Sequence, residues 1–89
     1  MTTIIKTHFT MVENNKKWFT DGKLHRDNDL PAIIWNNGDK EWWKNGIRHR
    51  DNNLPAVVCG GGHSEWWFDG KYQNRVKTYF KPNTDENTD

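Results

Sequence analysis

The chain has 89 residues, 33% of them hydrophobic, and a formal net charge of +1 with both signs dispersed along its length. That length allows one small domain, and so balanced a charge provides no basic face of the kind that grips duplex nucleic acid. No stretch has the apolar run of a signal peptide or membrane span, and the single Cys59 excludes an intrachain disulfide, so a cytoplasmic protein without a membrane partner is expected.

In chain order, Thr3 to Val12 is predicted to be a strand, with Asn14-Asn15 as the turn that follows it and His8 as a surface residue on it. Residues 18–41 and 42–65 then align without a gap at an offset of 24 and share eleven positions: Trp18/Trp42, Gly22/Gly46, His25/His49, Arg26/Arg50, Asp27/Asp51, Asn28/Asn52, Leu30/Leu54, Pro31/Pro55, Ala32/Ala56, Gly38/Gly62 and Glu41/Glu65. A fixed self-similarity of this length is the signature of a repeat architecture. Phe9 and Met11 fall at the positions of Ile33 and Trp35, which makes 1–17 a degenerate half-repeat.

Each unit opens on an aromatic pair, Trp18-Phe19, Trp42-Trp43 or Trp66-Trp67. Neighbouring side chains on a strand point to opposite faces, so one aromatic of each pair is expected in the core and the other outside. The dipeptides Asp21-Gly22, Asn45-Gly46 and Asp69-Gly70 favour tight hairpin turns, because they tolerate positive φ. Asp27 and Asp51 open polar loops, where they would cap the loop or hold Arg26 and Arg50 by paired hydrogen bonds. Pro31 and Pro55 force extended backbone before the β-prone runs Ala32 to Trp35 and Ala56 to Cys59. Cys59 itself reads as a small buried strand residue.

Residues 66–80 begin a further unit at Trp66-Trp67-Phe68-Asp69-Gly70 and then lose the pattern, as a terminal capping repeat does; 81–89 is polar, ends acidic and reads as a disordered tail. The prediction is a single all-β domain over 1–80, an antiparallel β-meander of about two and a half 24-residue hairpin repeats. So short an array leaves exposed edges and barely reaches the usual minimum of about three repeats, so a homo-oligomer is expected.

Trp43-Lys44-Asn45-Gly46-Ile47-Arg48-His49 resembles the MORN-type β-hairpin repeats. The form with His-Arg followed by Leu-Pro-Ala is similar to MORN-like repeats of proteins from large DNA viruses, phages and bacteria. The resemblance covers roughly 18–70 and implies a repeat sheet with a binding role, in the host cytoplasm if the source is viral. It supplies no catalytic residues. His49-Arg50-Asp51 stands where the standard pattern has His-Gly and a further Gly, which weakens the inference of a membrane-lipid or scaffolding role from standard MORN proteins.

The candidate binding residues are Trp42, Trp43, Trp66, Trp67, His25, Arg26, His49 and Arg50; Gly22, Gly46, Gly70, Asp27, Asp51, Pro31 and Pro55 are assigned to turns. Trp and Arg are favoured anchors of interfaces, and guanidinium groups also suit phosphate or carboxylate. The leading expectation is therefore a non-enzymatic module that binds a protein partner. The alternative is a sequestering protein that traps a nucleotide-like anion between subunits. A kinase-like reading of His49-Arg50-Asp51 fails, because Pro55 and Ala56 follow where a metal-binding Asn is needed. Catalysis by the His-Asp pairs lacks a nucleophile. Equivalent residues of neighbouring repeats should lie about 10 Å apart, too far for two imidazoles to share a zinc. No metal and no cofactor is expected.

Overall fold

The computed structural model describes residues 6–73. Among them every strand pairing is antiparallel and there is no helix. The strands are β1 (Thr7–Val12), β2 (Asn15–Thr20), β3 (Lys23–Leu24), β4 (Ile33–Ile34), β5 (Lys40–Glu41), β6 (Trp43–Lys44), β7 (Ile47–Arg48), β8 (Val57–Val58), β9 (Ser64–Phe68) and β10 (Lys71–Gln73). The residues expected to form strand before Lys6, the cap beyond Gln73 and the tail 81–89 lie outside the described residues.

The order in the main sheet is β1-β2-β4-β5-β8-β9-β10, while β3 pairs with β2 and the β6–β7 hairpin forms a small sheet of its own. This corrects the plain meander. Each long segment forks: its first half pairs with a short Ile- or Val-rich strand (β4 for β2, both β4 and β8 for 40–44, β8 for β9), and its second half pairs with its own hairpin partner, β3, β7 or β10. The fork is visible at Trp42, which interrupts the extended run between β5 and β6. Val57–Val58 ends before Cys59, so Cys59 lies at the turn beyond the strand and is half-buried. Burial pushes its thiol pKa up.

The hydrogen bonds recur at the same 24-residue offset as the identities. The Ala32 amide donates to the Glu41 carbonyl at 2.8 Å and the Ala56 amide to the Glu65 carbonyl at 2.8 Å. Trp18 donates to the Ala32 carbonyl at 2.8 Å, and Trp42 to that of Ala56 at 2.7 Å. Both alanines are fully enclosed between two long segments and, with Ile33, Val57 and Trp42, make up the apolar core. Proline before alanine serves this joint, because it holds the chain extended as it enters the sheet.

Two of the turns that recur in the units share one tight geometry. Asp21-Gly22, Asn45-Gly46 and Asp69-Gly70 all have positive φ at both central residues, the type I′ geometry that matches strand twist. Asn28-Asp29 and Asn52-Asn53 also have positive φ, and a 3.3 Å bond runs from the Leu30 amide to Asp27 and from the Leu54 amide to Asp51. The polar loop is thus a second type I′ turn, which accounts for its Asn and Asp content.

The first hairpin departs from the repeat. Ile33 faces Glu41 and Val57 faces Glu65, yet Phe9 faces Trp18 rather than Lys17. The cause is loop length. Residues 36–38 form a three-residue loop closed by Gly38 at φ 94°, whereas β1 and β2 are joined by Glu13-Asn14 at φ 52° and 65°. The turn therefore sits one residue before the expected Asn14-Asn15. One residue fewer slips the register by one and changes which side chains share a face.

Candidate functional site

The His-Arg-Asp row sits where each hairpin meets the next. The tip of one hairpin rests on the return strand before it: the Gly46 amide donates to Leu24 at 2.8 Å and the Gly70 amide to Arg48 at 2.9 Å. His49 joins the same seam from the side. Its Nδ1 accepts the Asp69 amide at 2.9 Å, so the ring proton sits on Nε2, which lies 2.6 Å from Asp51 Oδ1. His25 repeats the arrangement with the Asn45 amide at 3.0 Å and Asp27 Oδ1 at 2.8 Å. His49 is buried, with 8% of its surface exposed, and its ring also meets Phe68 at 4.5 Å. Both nitrogens of both rings are occupied by the fold itself.

That geometry changes the role expected of Asp27 and Asp51. They bond the histidines, not Arg26 and Arg50. The His49 bond, helped by Lys44, holds the Asp51 carboxyl below its ordinary pKa. Arg50 takes its carboxylate from the preceding unit: Nε donates to Asp29 Oδ1 at 2.9 Å and Nη2 to Oδ2 at 3.2 Å. Its guanidinium lies 3.7 Å from the centre of the Trp42 ring and bonds the Pro55 carbonyl at 3.0 Å. Arg26 stacks on Trp18 at the same 3.7 Å and bonds the Pro31 carbonyl at 3.2 Å. Among the described residues Arg26 has no carboxylate partner. Residue 5, 21 positions before it as Asp29 is before Arg50, is isoleucine.

Neither aromatic of a pair is free, a correction to the in-or-out expectation. Trp42 is buried and donates its Nε1–H to the Asp29 carbonyl at 3.0 Å; Trp66 is half-buried and donates to Asn53 at 2.9 Å. Trp43 and Trp67 are also half-buried, and each donates to a glutamate two residues earlier, Glu41 at 2.8 Å and Glu65 at 2.9 Å. Bonds from His63 and Trp67 keep the Glu65 carboxyl below its ordinary pKa. Glu41 accepts a further bond from Trp35 at 2.7 Å.

A second cluster lies on the Trp43–Trp67 side, and the repeat pattern does not reveal it. The Arg48 guanidinium sits 5.0 Å from the Trp43 ring and 4.7 Å from the Trp67 ring, and its Nη2 donates to Glu41 Oε1 at 3.1 Å. Its Nε is buried and has no partner among the described residues. Tyr72 packs edge-on against Trp67 at 5.5 Å. Trp43, Gly46, Ile47, Arg48, Trp67 and Gly70 line a groove of about 320 Å³. Ile47 and Tyr72 leave 46% and 52% of their surface exposed beside it. Position 48 is Leu24 one unit earlier and Tyr72 one unit later, so identity between repeats points away from it. The usable signal was composition: Trp, Tyr and Arg on cross-strand partners, Trp43 with Arg48 and Trp67 with Tyr72.

Among the described residues no three or more His, Cys, Asp or Glu side chains converge as a metal would need. Compared with protein-family models, curated proteins and solved structures, the chain matches none.

Proposed function

We propose that the protein is a non-enzymatic module that binds a protein partner through the groove between the hairpins of β6–β7 and β9–β10. The observation that carries this reading is Arg48 held between Trp43 and Trp67, with exposed Ile47 and Tyr72 beside it. Rigid aromatic and guanidinium groups lose little conformational freedom on contact, and such anchors dominate interface energetics. The occupied nitrogens of His25 and His49 support a binding role over acid–base chemistry, since a general base needs an open lone pair. The test is crosslinking and mass spectrometry of the tagged chain with its source-cell proteins. One defined partner should be captured by the wild type and by His63→Ala, and lost with Arg48→Ala and Tyr72→Ala. Equal capture by all four proteins would refute the groove.

One observation favours a second reading, a nucleotide-like anion. Arg26 is stacked on Trp18 without a carboxylate among the described residues, beside a cavity of about 410 Å³ whose lining includes Thr7, His8 and His25. A planar guanidinium on an aromatic face suits phosphate. Calorimetry with linear and cyclic nucleotides decides it: saturable binding that Arg26→Ala abolishes would displace the protein-partner reading.

A further inference from the structure

β1 is the strand at one end of the main sheet, and its outer side has no strand partner among the described residues. Its six residues, Thr-His-Phe-Thr-Met-Val, contain no charge, proline or glycine. Natural edge strands are usually protected by lysine, proline, a bulge or brevity. β1 is instead one of the two longest strands described, regularly paired with β2 along its whole length. It also carries Phe9, Met11 and Val12, exposed at 48%, 56% and 65%. By contrast β4 and β8, the short strands of the two full units, have partners on both sides.

We infer that β1 pairs antiparallel with β1 of a second copy about a two-fold axis at Thr10, joining two sheets into one. Symmetry narrows the register. A two-fold axis normal to a sheet keeps the same face of both strands on the same side, so residues facing each other are separated by an even number of positions. With the axis at Thr10, Phe9 faces Met11 of the second copy, His8 faces Val12, and Thr10 faces Thr10. Apolar side chains then meet apolar ones on the face where Phe9 already packs against Trp18 at 4.9 Å. The ends match as well: Lys6 precedes the strand and Glu13 follows it, so antiparallel pairing brings opposite charges together. A parallel arrangement would bring like charges together.

Thr10 lies opposite Lys17 in its own chain and Met11 opposite Lys16. Thr10→Glu and Met11→Glu therefore gain a favourable partner within the monomer, while Thr10→Glu sets two carboxylates face to face across the axis. Sedimentation velocity of the full chain should give twice the 10.6 kDa chain mass. Both variants should sediment as folded monomers, with native near-ultraviolet circular dichroism. In a Cys59→Ser background, Thr10→Cys should form a disulfide-linked dimer under mild oxidation, whereas Val12→Cys, which faces His8, should not. A monomeric wild type at all accessible concentrations, or a dimer unchanged by Thr10→Glu, would overturn the proposal. Arg48→Ala should leave the dimer intact, and Thr10→Glu should leave capture of a partner by the groove intact, so the two proposals fail separately.

Discussion

Arg50 and Arg26 occupy equivalent places in successive units and keep the same stacking distance to their tryptophans, 3.7 Å. Each also bonds a proline carbonyl five residues on. They differ in what the preceding unit offers. Asp29 closes a two-bond clamp on Arg50, whereas Arg26 has no carboxylate partner among the described residues. A copied residue in a repeat array thus inherits its local geometry from its own unit and its electrostatic role from its neighbour. The same holds for the histidines: His49 packs on Phe68, while the equivalent position beside His25 is Lys44.

The largest effect should come from breaking the later seam. His49→Ala removes two hydrogen bonds, one to a carboxylate, and leaves the Asp69 amide without its acceptor; a loss of about 2–4 kcal/mol in urea unfolding is expected. His25→Ala should cost less, because no aromatic ring packs on it among the described residues. Equal losses would show that the Phe68 contact contributes nothing.

The hairpin glycines sharpen the comparison next. An added Cβ at Gly70 would stand 3.0 Å from Ile47 Cγ2, while at Gly22 it would meet nothing within 4 Å. Both residues have φ near 78–79°, so Gly22→Ala should show the backbone cost alone, about 1 kcal/mol, and Gly70→Ala roughly 2 kcal/mol. Thermal unfolding of the pair measures the difference, and a reversed order would contradict the stacking of the two hairpins.

Asp29→Ala should make Arg50 resemble Arg26. Asp29 is 47% exposed, so solvent screening limits the loss to about 0.5–1 kcal/mol. A double-mutant cycle with Arg50→Ala isolates the pair energy. A coupling of zero would mean that the stack on Trp42 and the bond to the Pro55 carbonyl hold the guanidinium without Asp29.

The smallest effect is a pH dependence. Asp39, held by the Gly60 amide, and Asp51, held by His49, both have carboxyl pKa values below their ordinary value in the folded chain. A depressed folded pKa means that the unfolded chain binds protons first as pH falls. Their stabilisation is therefore complete above the ordinary value of 3.8 and declines as pH drops through the lower, folded one. Asp51→Asn should flatten that part of the melting-temperature profile, and an unchanged profile would remove the His49–Asp51 bond from the account.

The strands, the hairpin turns at Gly22, Gly46 and Gly70 and the buried Ala-Ile and Ala-Val runs were legible in the chain, because positive-φ dipeptides and proline constrain backbone locally. Identity at an offset of 24 likewise announced the recurring hydrogen bonds at Ala32 and Ala56. Three features depended on tertiary contacts. The register slip at Phe9 came from a loop one residue shorter, which shows only once strands pair. The carboxylate partner of Arg50 came from across the seam between units, where Asp29 meets it, and this left Asp51 to His49 two residues before it. The Arg48 cluster combined residues that the repeat does not copy. Local chemistry sets φ, ψ and turn type over a few residues, but which face a side chain shares, and with whom, follows from pairing between segments some twenty positions apart.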